Sequence, residues 1–356
     1  MKSLADVVRS FIPMLLEIVM CFILGLLAIP LLRAKKTGRF EPRIGSRFLT
    51  DGSEPVMGGA VMAIAFSAVY FPLIFSTDLT NSSNKQDSRE GLIFAGIYVI
   101  IIVCVGIAED RLKYFLARLI GVAPAFKQAV IYVPSLSLTL VPAVFSKSST
   151  EVLLPFNLGF IEFGALYYPL MALLMTVMVN SFKLHFCFGG DVSGSVGGLT
   201  EASGAISLLT VALCCEMNSS TAGSFFSNMA AAACIGVLLW TFPPSKLITG
   251  DSGSMCIGAM FASAVLLSKL ELLFIIASLP QLADMFFSLV HYFRFKLIKR
   301  NKSENAISPK CSLHMFLSSS GYKDTTVVII FLAIGFLGGA LSLLFAHYSE
   351  GFLLFN

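Results

Sequence analysis

Apolar runs long enough to cross a bilayer recur along the whole chain, and no other feature limits its fold so tightly. They fall near residues 11–33, 57–77, 91–108, 128–146, 160–181, 198–215, 225–243, 254–268, 270–293 and 325–347. A spanning helix needs about 20 mainly apolar residues, because the hydrocarbon core is about 30 Å thick and offers the backbone no water to bond. The run at 254–268 is short, and only Ser268 and Lys269 divide it from the next. The longest stretch between runs, about 294–324, is too small to fold alone. The expectation is one integral membrane domain over residues 1–356, all-α and polytopic, with about ten transmembrane helices. Composition agrees, with 13% charged residues against about 25% in a soluble domain and a mean hydropathy of +0.84. A disordered chain, a disulfide-stapled miniprotein and an ordinary soluble enzyme are excluded. The first run is too long for a signal-peptide core and reads as a span.

The loops set the orientation. Arg33, Lys35, Lys36, Arg39, Arg43 and Arg47 lie between the first two runs, and Arg111, Lys113, Arg118 and Lys127 between the third and fourth. With Lys183, Lys246 and the seven basic residues from Arg294 to Lys323, 19 of the 25 Lys and Arg fall on one side. The positive-inside rule makes that side cytoplasmic and places both termini outside. Cytoplasmic loops are then expected near 34–56, 109–127, 182–197, 244–253 and 294–324. A net charge of +4 gives no reason to expect nucleic acid. None of the eight cysteines forms a Cys-x-x-Cys pair, so a zinc site has no support. Any chemistry must be built from cytoplasmic loops and helix ends, which leaves a transporter, a channel or a membrane-embedded enzyme.

Four cytoplasmic segments hold polar groups in unusual company. In Glu54-Pro55-Val56-Met57-Gly58-Gly59 the glycine pair lets backbone approach a ligand or another helix. In Gly106-Ile107-Ala108-Glu109-Asp110-Arg111-Leu112-Lys113 adjacent carboxylates suit magnesium or a local ion pair with the following bases. The run Phe188 to Leu199, which holds Asp191, Ser193, Gly194 and Gly197, fits a phosphate-cradling loop leading into a helix or a hinge. Asp251 in Thr249-Gly250-Asp251-Ser252-Gly253-Ser254 is a helix cap or a metal ligand. His314 sits beside Met315 and Phe316, and Glu17, Gln281 and Asp284 are costly polar groups within the spans.

In this order, the segments resemble the polyprenyl-phosphate N-acetylhexosamine-1-phosphate transferase superfamily, most closely its muramoyl-pentapeptide branch. Glu54 to Gly59 is similar to that family's Thr-Pro-Thr-Met-Gly-Gly, and Gly106 to Lys113 to its Asp-Asp-Tyr-Leu-Lys segment. Pro244-Ser245-Lys246 with Gly250-Asp251-Ser252-Gly253-Ser254 is similar to its Pro-Ala-Lys and Gly-Asp-Thr-Gly-Ser, and Leu313-His314 through Gly321-Tyr322 to its Leu-His-His-His-Phe and Gly-Trp. There are departures. Glu109 stands for Asp; Asp191 stands for the Asn, and Gly194 and Gly197 for both Asp, of the family's glycine-rich motif; and Met315 and Phe316 stand for two His. Asp251 is kept.

The resemblance implies transfer of phospho-MurNAc-pentapeptide from its UDP carrier to undecaprenyl phosphate in a cytoplasmic-face cleft. The product is lipid I, with release of UMP, in peptidoglycan synthesis at the bacterial inner membrane. It implies magnesium held by Asp251, with Glu109 and Asp110 orienting or deprotonating the lipid phosphate and Asp191 replacing one lost carboxylate. Lys113, Gly58, Gly59 and Ser193 would bind substrate, and His314 would contact phosphate or support its loop. A homodimer is a further expectation of the resemblance, with Gly335, Gly338 and Gly339 as a small-residue packing face. The gutted loop leaves a second reading open, a binding or scaffold protein that has lost catalysis.

Overall fold

A computed structural model describes residues 4–34, 55–76, 85–116, 132–134, 136–137, 140, 150–153, 159–186, 195–218, 220–299 and 312–353. Within this set the chain is mainly helical, with one small hairpin and short connecting segments such as 55–57 and 242–249. The order is α1 (Leu4–Ala34), α2 (Gly58–Ser76), α3 (Lys85–Leu116), the antiparallel strands β1 (Glu151–Leu153) and β2 (Phe160–Glu162), then α4 (Tyr167–Phe186), α5 (Leu199–Met217) and α6 (Thr221–Thr241). There follow α7 (Gly250–Ser268), the short α8 (Leu273–Ala277), α9 (Leu279–Lys299), the short α10 (Leu313–Ser319) and α11 (Asp324–Leu353).

Among the described residues, eight helices are long and apolar enough to cross a membrane, and each coincides with one of the ten expected runs. Of the expected run at 128–146, only residues 132–134, 136–137 and 140 are described, all of them helical, and the rest lies outside the described residues. The run at 270–293 is divided between α8 and α9. Along α9, Gln281, Asp284 and Ser288 are buried while Phe286, Leu289 and Phe293 are exposed. Spacings of three and four residues put the polar trio on one helix face, and that face points into the protein.

α7 is the central helix and packs against α2, α3, α4, α5 and α6. Every residue from Gly250 to Val265 is buried. Lipid tails are as apolar as leucine, so burial in a bilayer is driven by close packing, which small residues permit. Gly258 illustrates this, since a Cβ there would lie 2.8 Å from the Cα of Val179 on α4. α1 is the opposite case. Phe11, Leu15, Leu26, Leu27 and Leu31 are exposed, and its inner face packs Cys21 against Gly236 of α6.

Two features fix the ends of the bundle. Where α7 finishes, the Tyr167 hydroxyl at the start of α4 donates to Glu271 Oε1 at 2.6 Å, and Lys269 Nζ donates to that hydroxyl at 3.2 Å. The hairpin packs there through Val152. Where α7 begins, the starts of α2 and α5 meet the ends of α3 and α4. The glycines expected as a homodimer face are used within the chain. Gly335 faces Ile206 and Pro280, Gly338 faces the backbone of Ile276 and the side chain of Leu279, and Gly339 faces Thr210. That face is filled by α5, α8 and α9, so it is closed to a partner chain.

Candidate active site

The site is assembled at the start of α7 by backbone that approaches unusually closely. Gly58 N donates to Ile248 O at 2.9 Å, Gly59 N to Thr249 O at 3.0 Å, and Ile248 N to Pro55 O at 3.0 Å. The first two bonds satisfy N–H groups that the first turn of α2 leaves without helical partners. A Cβ on Gly59 would fall on the backbone of Ser252 and Gly253, and one on Gly106 would lie 2.6 Å from the Cα of Ser252. Gly250 has φ +75°, and its Cβ would lie 2.8 Å from Asp110 Oδ2. Gly58 and Gly59 therefore wedge α7 against α2, and Gly106 does the same from α3.

That wedge places three carboxylates together. Asp110 Oδ1 accepts from Asp251 N at 3.0 Å, and its Oδ2 accepts from Ser252 N at 2.9 Å. Asp110 thus caps α7 from a different helix, where a negative charge meets the partial positive charge of the helix start. Thr249, in the cap position itself, makes no side-chain cap bond. Asp251 is 1% exposed. Its Oδ2 lies 3.3 Å from Lys183 Nζ, which is also ion-paired directly with Glu109. Lys183 comes from the last turn of α4, so one ammonium joins carboxylates from α3 and α7.

A neighbouring bond braces the same point. Thr249 Oγ1 donates to Glu201 Oε1 of α5, and Glu201 is 1% exposed. The carboxylate holds the residue two before Asp251.

A second polar cluster is wholly buried. Asp284 of α9 accepts from Leu313 N at 2.6 Å and His314 N at 3.3 Å through Oδ1. Its Oδ2 lies 2.9 Å from His185 Nδ1 and 2.5 Å from His314 Nδ1. His185 Nε2 lies 2.9 Å from Ser203 Oγ on α5. The three ligand-type atoms are within 4.8 Å of one another, and hydrogen bonds already satisfy the carboxylate. The cluster ties α10 to the bundle: His314 is fully enclosed, with Ser312 Oγ accepting from Met315 N at 3.4 Å as the helix cap.

The expected residues thus divide. Glu109, Asp110 and Asp251 are brought together, with Gly58 and Gly59 against α7. His314 belongs to the second cluster. Lys113 lies in α3 with its side chain outside the described set, and Asp191 and Ser193 fall outside the described residues. The sequence alone does not mark Lys183, Glu201 or His185 as site residues. There Lys183 counts only as a loop charge. Glu201 was readable as a lone acid inside the run 198–215.

The magnesium that the resemblance leads one to expect can be tested against this donor set. Both Asp110 oxygens are committed to α7 amides, and the remaining carboxylates, Glu109 and Asp251, already share a lysine. A magnesium ion bridging Glu109 and Asp251 would have to displace the Lys183 ammonium that lies between them, so the set as it stands does not fit one.

Comparison with known proteins places this geometry. Residues 92–269 match the model of glycosyl transferase family 4. The phospho-N-acetylmuramoyl-pentapeptide-transferase of Clostridioides difficile is 27% identical over 90% of this chain and 92% of its own length. That of Thermoanaerobacter sp. is 27% identical over 89% and 93%, and that of Desulfitobacterium hafniense 23% over 94% and 97%. The matched region runs from α3 through α7 and includes Glu109, Asp110, Lys183 and Asp251. The chain belongs to glycosyl transferase family 4, as a diverged member of the polyprenyl-phosphate transferase superfamily that its motifs resemble.

Proposed function

We propose that this chain transfers phospho-MurNAc-pentapeptide from its UDP carrier to undecaprenyl phosphate, at the cytoplasmic face of the bacterial inner membrane. The observation that carries this reading is the meeting of Glu109, Asp110 and Asp251 with Lys183 at the start of α7. Full-length similarity to bacterial transferases of that name adds to it. An oxygen of the lipid phosphate attacks the sugar-side phosphorus, the bond to the bridging oxygen breaks, and UMP leaves with the electron pair. Such a reaction asks mainly for positioning and electrostatic stabilisation. Asp110 fixes the start of α7, Glu201 fixes Thr249, and together they aim Asp251. Glu109 is the member of the acidic pair that α7 does not occupy, so it faces the lipid phosphate. Lys183 offsets the negative charge.

The test is UMP release by purified full-length protein given both substrates and magnesium, beside an Asp251→Ala control. Release that disappears in the control is the expected result. No release from protein that still binds the nucleotide sugar would replace this reading with the scaffold, which Gly194 and Gly197 favour because neither supplies a carboxylate.

A further inference from the structure

Lys183 is the least expected residue of the site. It is 9% exposed and sits on the last turn of a spanning helix, and its ammonium touches two carboxylates from two other helices. The last turn of a helix favours a cation, but that alone does not call for burial between two carboxylates. A lysine buried beside acids is held by them, and it holds them apart in turn. Removing the charge would leave Glu109 and Asp251 facing each other across the position of the ammonium.

We infer that Lys183 is the resident cation of this site: its ammonium occupies the place between Glu109 and Asp251 that a divalent metal would need. One further observation supports this. Asp110, the third carboxylate, is turned to the start of α7 with one amide on each oxygen, so it is Lys183 that lies between Glu109 and Asp251. A tethered ammonium is a weaker point charge than a divalent ion, but it carries no cost of capture from solution and no dependence on metal supply. For turnover, the inference rests on the transferase reading; for metal binding, it stands without it.

Manganese is the probe, measured as free and bound ion by electron paramagnetic resonance on full-length protein in detergent. Wild type and Asp251→Ala should bind it alike and weakly. Lys183→Met keeps the apolar stem and should bind one ion about tenfold tighter than wild type, and adding Asp251→Ala should abolish the gain. UMP release by wild type should be the same with EDTA as with magnesium. Tight binding by wild type that depends on Asp251 would overturn the inference, as would Lys183→Met binding no better. If Lys183→Met does not fold, wild type against Asp251→Ala decides alone. UMP release absent under every condition would sink the transferase reading while the manganese comparison still judged this one.

Discussion

The two polar clusters differ in what they ask of their surroundings. At the start of α7, three carboxylates and one ammonium gather with Glu109 only partly buried. Around Asp284, one carboxylate meets four N–H donors, all enclosed. The first holds charge in reserve at a surface; the second has spent its charge inside the protein. Yet the same two helices serve both. α4 gives Lys183 to one and His185 to the other, and α5 gives Glu201 and Ser203 in the same way. Residues two apart on a helix are turned by about 200°, so each helix faces one cluster on each side. The lesson is that burial with full hydrogen bonding serves the fold, whereas shared charge at a helix start is available for chemistry.

The comparison breaks most visibly at Asp284. Asp284→Ala strands two imidazoles and two amides, and loss of one partner from a buried charged set costs about 3–5 kcal/mol. The expected result is the largest fall in apparent melting temperature of any variant here, measured at one scan rate in detergent because membrane proteins unfold irreversibly. Asp251→Ala should stay within about 1 kcal/mol of wild type, since Lys183 keeps Glu109 as partner, yet lose UMP release. Equal destabilisation by the two would erase the distinction.

Gly59→Ala comes next. Its methyl would occupy backbone of α7, and overpacking costs about 1–3 kcal/mol. Because the same contact sets Asp251, turnover should fall with stability. A stable variant with full turnover would show that α2 and α7 can separate without moving the site.

Glu201 sharpens the comparison on the acidic side. Glu201→Ala leaves Thr249 without its acceptor and should cost about 1–3 kcal/mol. Glu201→Gln keeps an acceptor oxygen and should recover most of the stability and turnover. If Gln is as damaging as Ala in turnover but not in stability, Glu201 acts through its charge and not as a brace.

Much of this was legible in the sequence. Long apolar runs locate the eight spanning helices found among the described residues; the pair Glu109–Asp110 stands out because adjacent acids at a bilayer surface are costly without a partner, and Asp251 because it lies among Gly and Ser at a helix start. The partners were not legible. Which helices become neighbours depends on packing that one sequence does not encode locally, so Lys183 read as a loop charge and Gly335, Gly338 and Gly339 read as a face for another chain. Asp284 read as an isolated intramembrane acid for the same reason, since its donors come from α4 and α10, far away in sequence.

The smallest effect is expected at Ser203, and it tests whether the clusters are separable at their closest point in sequence. The Ser203 hydroxyl has a single proton and faces two acceptors, the Leu199 carbonyl at 2.7 Å and, with His185 Nδ1–H given to Asp284, the bare Nε2 of His185 at 2.9 Å. Ser203→Ala removes the hydroxyl and leaves one buried ring nitrogen without a donor while the four bonds to Asp284 remain. A single hydrogen bond of this kind contributes about 0.5–1.5 kcal/mol, so the apparent melting temperature should fall slightly. UMP release should not change, because Glu201, on the opposite side of α5, still holds Thr249. A loss of turnover with no loss of stability would mean that α5 carries strain from one cluster to the other, and that the division drawn between them is false.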